Sequence, residues 1–166
     1  RSNPTKSNVY VTLVVEEGVV KALRKALADP ALVAGPVKDF LTASALLIEA
    51  RAKEKAPVDT GRLRSSLTHE IGPARAIVGS NVKYAPFVEF GTRPHWPPLA
   101  ALQPWARRHG FPAGRSGAFL VARAISRRGT RAQPYLRPAL EESVSAIKRL
   151  VERAAAAIKA RWQSHG

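Results

Sequence analysis

Cysteine is absent from this chain, and so is methionine. Without cysteine there is no disulfide framework, no thiolate zinc site and no cysteine nucleophile. No stretch comes near the roughly 18 to 20 apolar residues that a membrane-crossing helix needs. No basic-then-apolar leader opens the chain, so neither a secretion signal nor a membrane partner is expected. Negative charge is missing locally: between Gly91 and Leu140 there is no Asp and no Glu. The same stretch holds Arg93, Arg107, Arg108, Arg115, Arg123, Arg127, Arg128, Arg131 and Arg137.

What is present is an apolar fraction of 45% in 166 residues, enough for one domain with a real core. The net charge is +15. A basic segment without acids wants an anionic neighbour: nucleic acid, a lipid surface or an acidic protein face.

Residues 1–8 are polar and read as a loose arm. "VYVTLVVE" alternates Val9, Val11, Leu13 and Val15 against Tyr10, Thr12, Val14 and Glu16, which predicts a strand ended by Gly18. Val19, Leu23 and Leu27 then share a helical stripe that Asp29-Pro30 stops. A second helix starts at Gly35-Pro36, with Val37, Leu41, Ala45, Ile48 and Ala52 on one side, and runs to about Lys55 because Pro57 follows. "SLTHEIG" and "ARAIVGS" read as an antiparallel hairpin turning at Gly72-Pro73. A short helix is expected after Pro86, with Gly91 as its left-handed end. Two more follow in "LAALQPWARRHG" and "SGAFLVARAISRRG", the second with Phe119, Ala122 and Ile125 or Ser126 on one side. Residues 110–117 between them have the composition of a mobile loop. A long last helix spans about Pro138 to Trp162, with Leu140, Val144, Ile147, Val151, Ala154 and Ile158 as its stripe. The domain organisation expected is the arm plus one α+β domain over 9–166, with a basic insertion at about 93–130.

Catalytic patterns are thin. His69, His95, His109 and His165 never pair at helical spacing, and no H-E-x-x-H occurs, so no metal site is expected. Asp59-Thr60-Gly61 has the letters of an aspartic-protease signature. Arg62 and Arg64 beside it would hold the carboxylate ionised instead of letting a dyad share a proton. Asp59 or Thr60 reads better as the cap of a short helical turn, with Gly61 letting the backbone pass closely. Glu89 among aromatics could act as a base but more often pairs with an arginine. No G-x-S-x-G and no phosphate-binding loop with its lysine occurs. We therefore expect no catalytic residue and no cofactor. Arg107, Arg108, Arg115, Arg127, Arg128 and Arg131 are candidates for phosphate or partner contact, and the alternative function is non-specific nucleic-acid binding through 93–137.

The order of motifs carries more than any one of them. Ala56-Pro57-Val58-Asp59-Thr60-Gly61 comes first, with Leu63. Val78-Gly79, Tyr84-Ala85 and Glu89-Phe90-Gly91-Thr92 follow. Pro134-Tyr135-Leu136-Arg137-Pro138-Ala139 precedes the last helix. Over about residues 30 to 160 this series resembles the phage tail-component family of long-tailed bacteriophages, the head–tail joining or tail-completion proteins of the neck. The resemblance implies a structural, non-enzymatic virion protein, assembled in the host cytoplasm. It implies a tail-terminator-like α+β fold: a small antiparallel sheet of three or four strands, helices packed on it and a long C-terminal helix. It also implies a ring, by analogy a hexamer. Its partners would be the head connector or head-closure protein, the tail tube or tail terminator protein, and the packaged DNA passing through.

Overall fold

A computed structural model describes residues 9–14 and 31–165. The arm at 1–8, the helix over 19–27 with its Asp29-Pro30 stop, and the end of the first strand at Gly18 lie outside the described residues.

The chain divides into two compact units. The first comprises Arg1–Ala85 and Pro134–Gly166; the second is Pro86–Gln133, which encloses most of the basic segment. The first unit holds a three-stranded antiparallel sheet of β1 (Val9–Val14), β2 (Leu67–Ile71) and β3 (Arg75–Ser80), in the order β1-β3-β2. β3 is central: Val78 pairs with Val11 on one side and His69 on the other. Its buried face carries Ala76, Val78 and Ser80, and Leu67 lies opposite Ser80 on that face. The hairpin turns where expected, the Gly72 N–H donating to the Arg75 carbonyl at 2.8 Å.

Helix α1 (Ala31–Lys55) packs on β2 and β3. Leu41, Ala45, Ile48 and Ala52 are fully buried and so form the expected stripe. Its start differs from expectation. Gly35-Pro36 does not begin the helix, which is already wound at Ala31. Pro36 is the sixth helical residue and cannot donate to the Leu32 carbonyl. Val33 buries against Ile158 with Val37 beside it, which accounts for the extra turn.

After α1, α2 (Arg62–Ser65) forms the corner. The last helix of this unit, designated α6 because three others lie between it and α2 in the chain, is Leu136–His165. At about 1.5 Å per residue it is roughly 45 Å long. It packs along α1 in the opposite direction, with Val33 near Ile158 at one end and Lys55 bonded to Glu142 at 2.6 Å at the other. The expected stripe is only part of its buried side. Val144 and Val151 are 43% and 49% exposed, while Ala139 and Ser143 are fully buried. The buried face is thus turned by roughly 60° towards the small residues. The Ser143 hydroxyl donates to the Ala139 carbonyl at 2.6 Å, which satisfies it within the helix.

The second unit begins within α3 (Ala85–Phe90) and contains α4 (Leu99–Arg108) and α5 (Arg115–Arg128), which pack on each other. All three were expected from sequence, and Gly91 ends α3 with φ 70° as predicted. The face of α5 differs: Gly117, Ala118, Val121 and Ala122 are buried, while Phe119 is exposed. Of the segment 110–117, Arg115–Gly117 is already the first turn of α5. There is no room for a Cβ on Gly117, which would meet the Pro112 carbonyl oxygen at 2.0 Å. No helix among the described residues is long and apolar enough to cross a membrane.

Candidate partner-binding surface

The corner motif belongs to the first unit. α1 ends at Lys55, as Pro57 predicts. The cap position of α2 is held by Gly61, at φ 76°, and not by Asp59 or Thr60. The physical reason is the left-handed backbone, which glycine adopts without a Cβ penalty. Space is not the reason, because a Cβ on Gly61 would meet nothing within 4 Å. Pro57 is half-buried, and Asp59 and Thr60 are exposed.

The serines after the corner do the anchoring. The Ser66 hydroxyl donates to the Leu63 carbonyl at 2.7 Å and stands 2.7 Å from the Ser80 hydroxyl. Ser66 has one proton, already given to Leu63, so Ser80 is the donor in that pair. Ser80 in turn accepts the Val82 N–H at 3.2 Å. This chain ties the corner to the central strand. Nearby, Glu49 of α1 receives Lys53 from its own helix and His69 Nδ1 from β2, the latter at 2.5 Å. Burial pushes the Glu49 pKa up, but the hydrogen bonds from His69 and Lys53 outweigh it and hold the carboxyl below its ordinary value.

The third motif is buried at the start of α6. Tyr135, Leu136 and Ala139 are essentially inaccessible, while Pro134 is exposed. Pro138 sits in the first helical turn, where its missing N–H costs nothing. Arg137 pairs with Glu141 at 3.0 Å on the surface. Of the middle motif, Tyr84 is exposed and Glu89 is 3% exposed.

In the second unit, two Gly-Thr pairs close the basic segment. Thr92 and Thr130 exchange both backbone hydrogen bonds, at 3.1 and 3.2 Å, and their hydroxyls meet at 3.0 Å. The flanking glycines make this crossing possible. A Cβ on Gly91 would lie 2.5 Å from the Thr130 carbonyl oxygen, and one on Gly129 only 1.9 Å from that of Thr92. Residues 93–129 are therefore an excursion held at its base by a glycine-threonine clasp. The sequence placed the insertion at about 93–130 without recognising that paired Gly-Thr dipeptides mark its ends.

The candidate arginines are all exposed. They do not converge on one place. Arg107 and Arg108 end α4, Arg115 opens α5, and Arg131 lies beyond the clasp. Arg127 and Arg128 come together with Arg123, Leu120 and Ala124 around one depression of about 490 Å³ on α5. Arg123 was not singled out from sequence, although Leu120, Arg123, Ala124 and Arg127 at i, i+3, i+4 and i+7 share a helix face. Two aromatic pairs stand in this unit: Trp96 meets Phe119 of α5 edge-on at 5.5 Å, and Trp105 of α4 stacks on His109 at 3.9 Å. Among the described residues, no three His, Asp or Glu side chains are grouped to hold a metal ion.

The fold is that of an α+β protein with a three-stranded antiparallel sheet, and its candidate arginines are exposed. Residues 17–91, somewhat under half of the chain, match the family described as "Bacteriophage HK97-gp10, putative tail-component". This bears out the resemblance over the corner motif, the hairpin and the segment through Gly91; the clasp partner at Thr130 and the third motif lie beyond the match. No curated protein and no solved structure matches the chain. Over residues 17–91 the chain is thus similar to a family of phage tail components.

Proposed function

We propose that this protein acts in the phage neck, where copies form a ring that joins the head connector or head-closure protein to the tail tube or tail terminator protein and lets DNA pass. The observation that carries this reading is the match of residues 17–91 to a phage tail-component family. The net charge of +15 suits a ring around DNA or between acidic protein faces. The ring is proposed as a hexamer by analogy with the sixfold symmetry of long phage tails. The role is structural, not catalytic.

The test is genetic and structural. A phage lacking this protein should accumulate filled heads and finished tails that do not join, and antibody labelling of intact particles should fall at the head–tail junction. Normal virions formed without the protein would overturn the reading. A second reading, non-specific nucleic-acid binding, is favoured by the three guanidiniums around the α5 depression. It expects the isolated chain to bind duplex with an affinity that falls steeply with salt.

A further inference from the structure

Helix α5 has two differentiated faces. Gly117, Ala118, Val121 and Ala122 are buried. The opposite face carries Phe119, Leu120, Arg123 and Arg127. Phe119 and Leu120 are 45% and 46% exposed, and Trp96, which meets the Phe119 ring edge-on, is 53% exposed. Leu120 also lines the depression shared by Arg123, Arg127 and Arg128. An apolar cluster thus runs directly into three guanidiniums. The one acid of Pro86–Gln133 is Glu89, which is buried, so every exposed formal charge on this unit is positive.

Arginines in the last turn of a helix are favoured there by the helix dipole alone. That explains Arg127 and Arg128, but neither Arg123 nor the exposed Phe119, Leu120 and Trp96. We propose that this face of α5 is the docking site for an acidic protein surface, with partner carboxylates against Arg123, Arg127 and Arg128 and a partner apolar group against Leu120, Phe119 and Trp96. The proposal rests on the neck reading for the class of partner, another virion protein. Guanidinium forks match carboxylates in pairs of hydrogen bonds and lose less hydration than ammonium groups. Arginine and large aromatics are also the side chains most enriched at the energetic centres of protein interfaces. A DNA duplex would satisfy the arginines but not the apolar cluster, because its bases are stacked inside and its rim is phosphate and sugar.

The test uses the full chain and three fluorescent probes: a helical peptide with a leucine face flanked by glutamates, the same peptide with glutamine at each glutamate, and a short DNA duplex. The acidic peptide should bind at least about tenfold more tightly than its glutamine counterpart. Leu120→Ser and Arg123→Ala should each weaken acidic-peptide binding by about tenfold, and Leu120→Ser should leave duplex binding unchanged. Both side chains are exposed, so an unchanged thermal melt shows that each variant folds. Acidic-peptide binding that ignores Leu120→Ser, or a preference for duplex over acidic peptide at equal salt, would overturn the proposal. The neck reading stands or falls separately, on whether the protein is found at the head–tail junction.

Discussion

Two glycines with nearly the same backbone should respond very differently to alanine. Gly61 has φ 76° and open space around it; Gly129 has φ 71° and the Thr92 carbonyl oxygen 1.9 Å from where a Cβ would stand. Gly61→Ala carries the left-handed penalty alone, about 1 to 2 kcal/mol. Gly129→Ala adds a backbone collision that the clasp can relieve only by opening. We expect a modest fall in Tm for the first. For the second we expect a larger loss, with hydrogen exchange rising at Thr92 and Thr130. Equal effects would mean that the clasp is not held by backbone proximity. At Glu49 the same scale gives a pH dependence. Its carboxyl titrates lower in the folded chain than in the unfolded one, so its stabilisation is complete above the unfolded value and is lost as pH falls through the folded one. Melts of the native chain and of Glu49→Gln between about pH 6 and pH 3 should converge at the acid end. A constant gap between the two would contradict this.

At the scale of elements, α1 and α6 hold the first unit together as an antiparallel pair, and their far end depends on few contacts. Val33, Val37 and Ile158 form a small cluster there. Ile158→Ala should cost about 2 kcal/mol, the low end for a buried isoleucine because the site lies near the surface. Proteolysis should then begin in the first turns of α1, whereas a whole-helix loss of protection would show that the cluster is part of the main core. Most elements were legible in the sequence: the hairpin and the body of α1 by their periods, α3 by its Pro86 and Gly91 ends, and α4 and α5 as helices, although the buried face of α5 was not. The misreadings came from residues whose role is set by a neighbour. Pro36 looked like a beginning because proline is tolerated there, yet Val33 had a partner, Ile158, far along the chain. Val144 and Val151 looked buried because they are apolar, yet the buried side of α6 is the one that carries the small residues Ala139 and Ser143. The clasp was out of reach because nothing local in "FGT" or "RRGT" says that one will meet the other. The grouping of Arg123 with Arg127 and Arg128 was open to helical periodicity and was missed by reading the arginines as runs.

For the whole molecule, charge gives the proposed ring assembly and the proposed docking through α5 opposite dependence on salt. Each copy carries +15, and copies brought into a ring repel one another unless anions or an acidic partner intervene. Salt shortens the range of that repulsion, from about 10 Å at 0.1 M to about 3 Å at 1 M. The purified chain should therefore be small in light scattering at low ionic strength and grow towards ring mass as salt rises. Attraction between the Arg123–Arg127–Arg128 cluster and partner carboxylates is screened by the same ions, so docking through α5 should weaken over that range. At low salt, assembly should then need phage connectors or tails as a template, and adding them should produce the ring-sized species that the chain alone does not form. A full ring at low salt without partners would show that the arginines are paired within the ring itself. A chain that stays monomeric at every salt concentration, with or without connectors and tails, would remove the ring from the account.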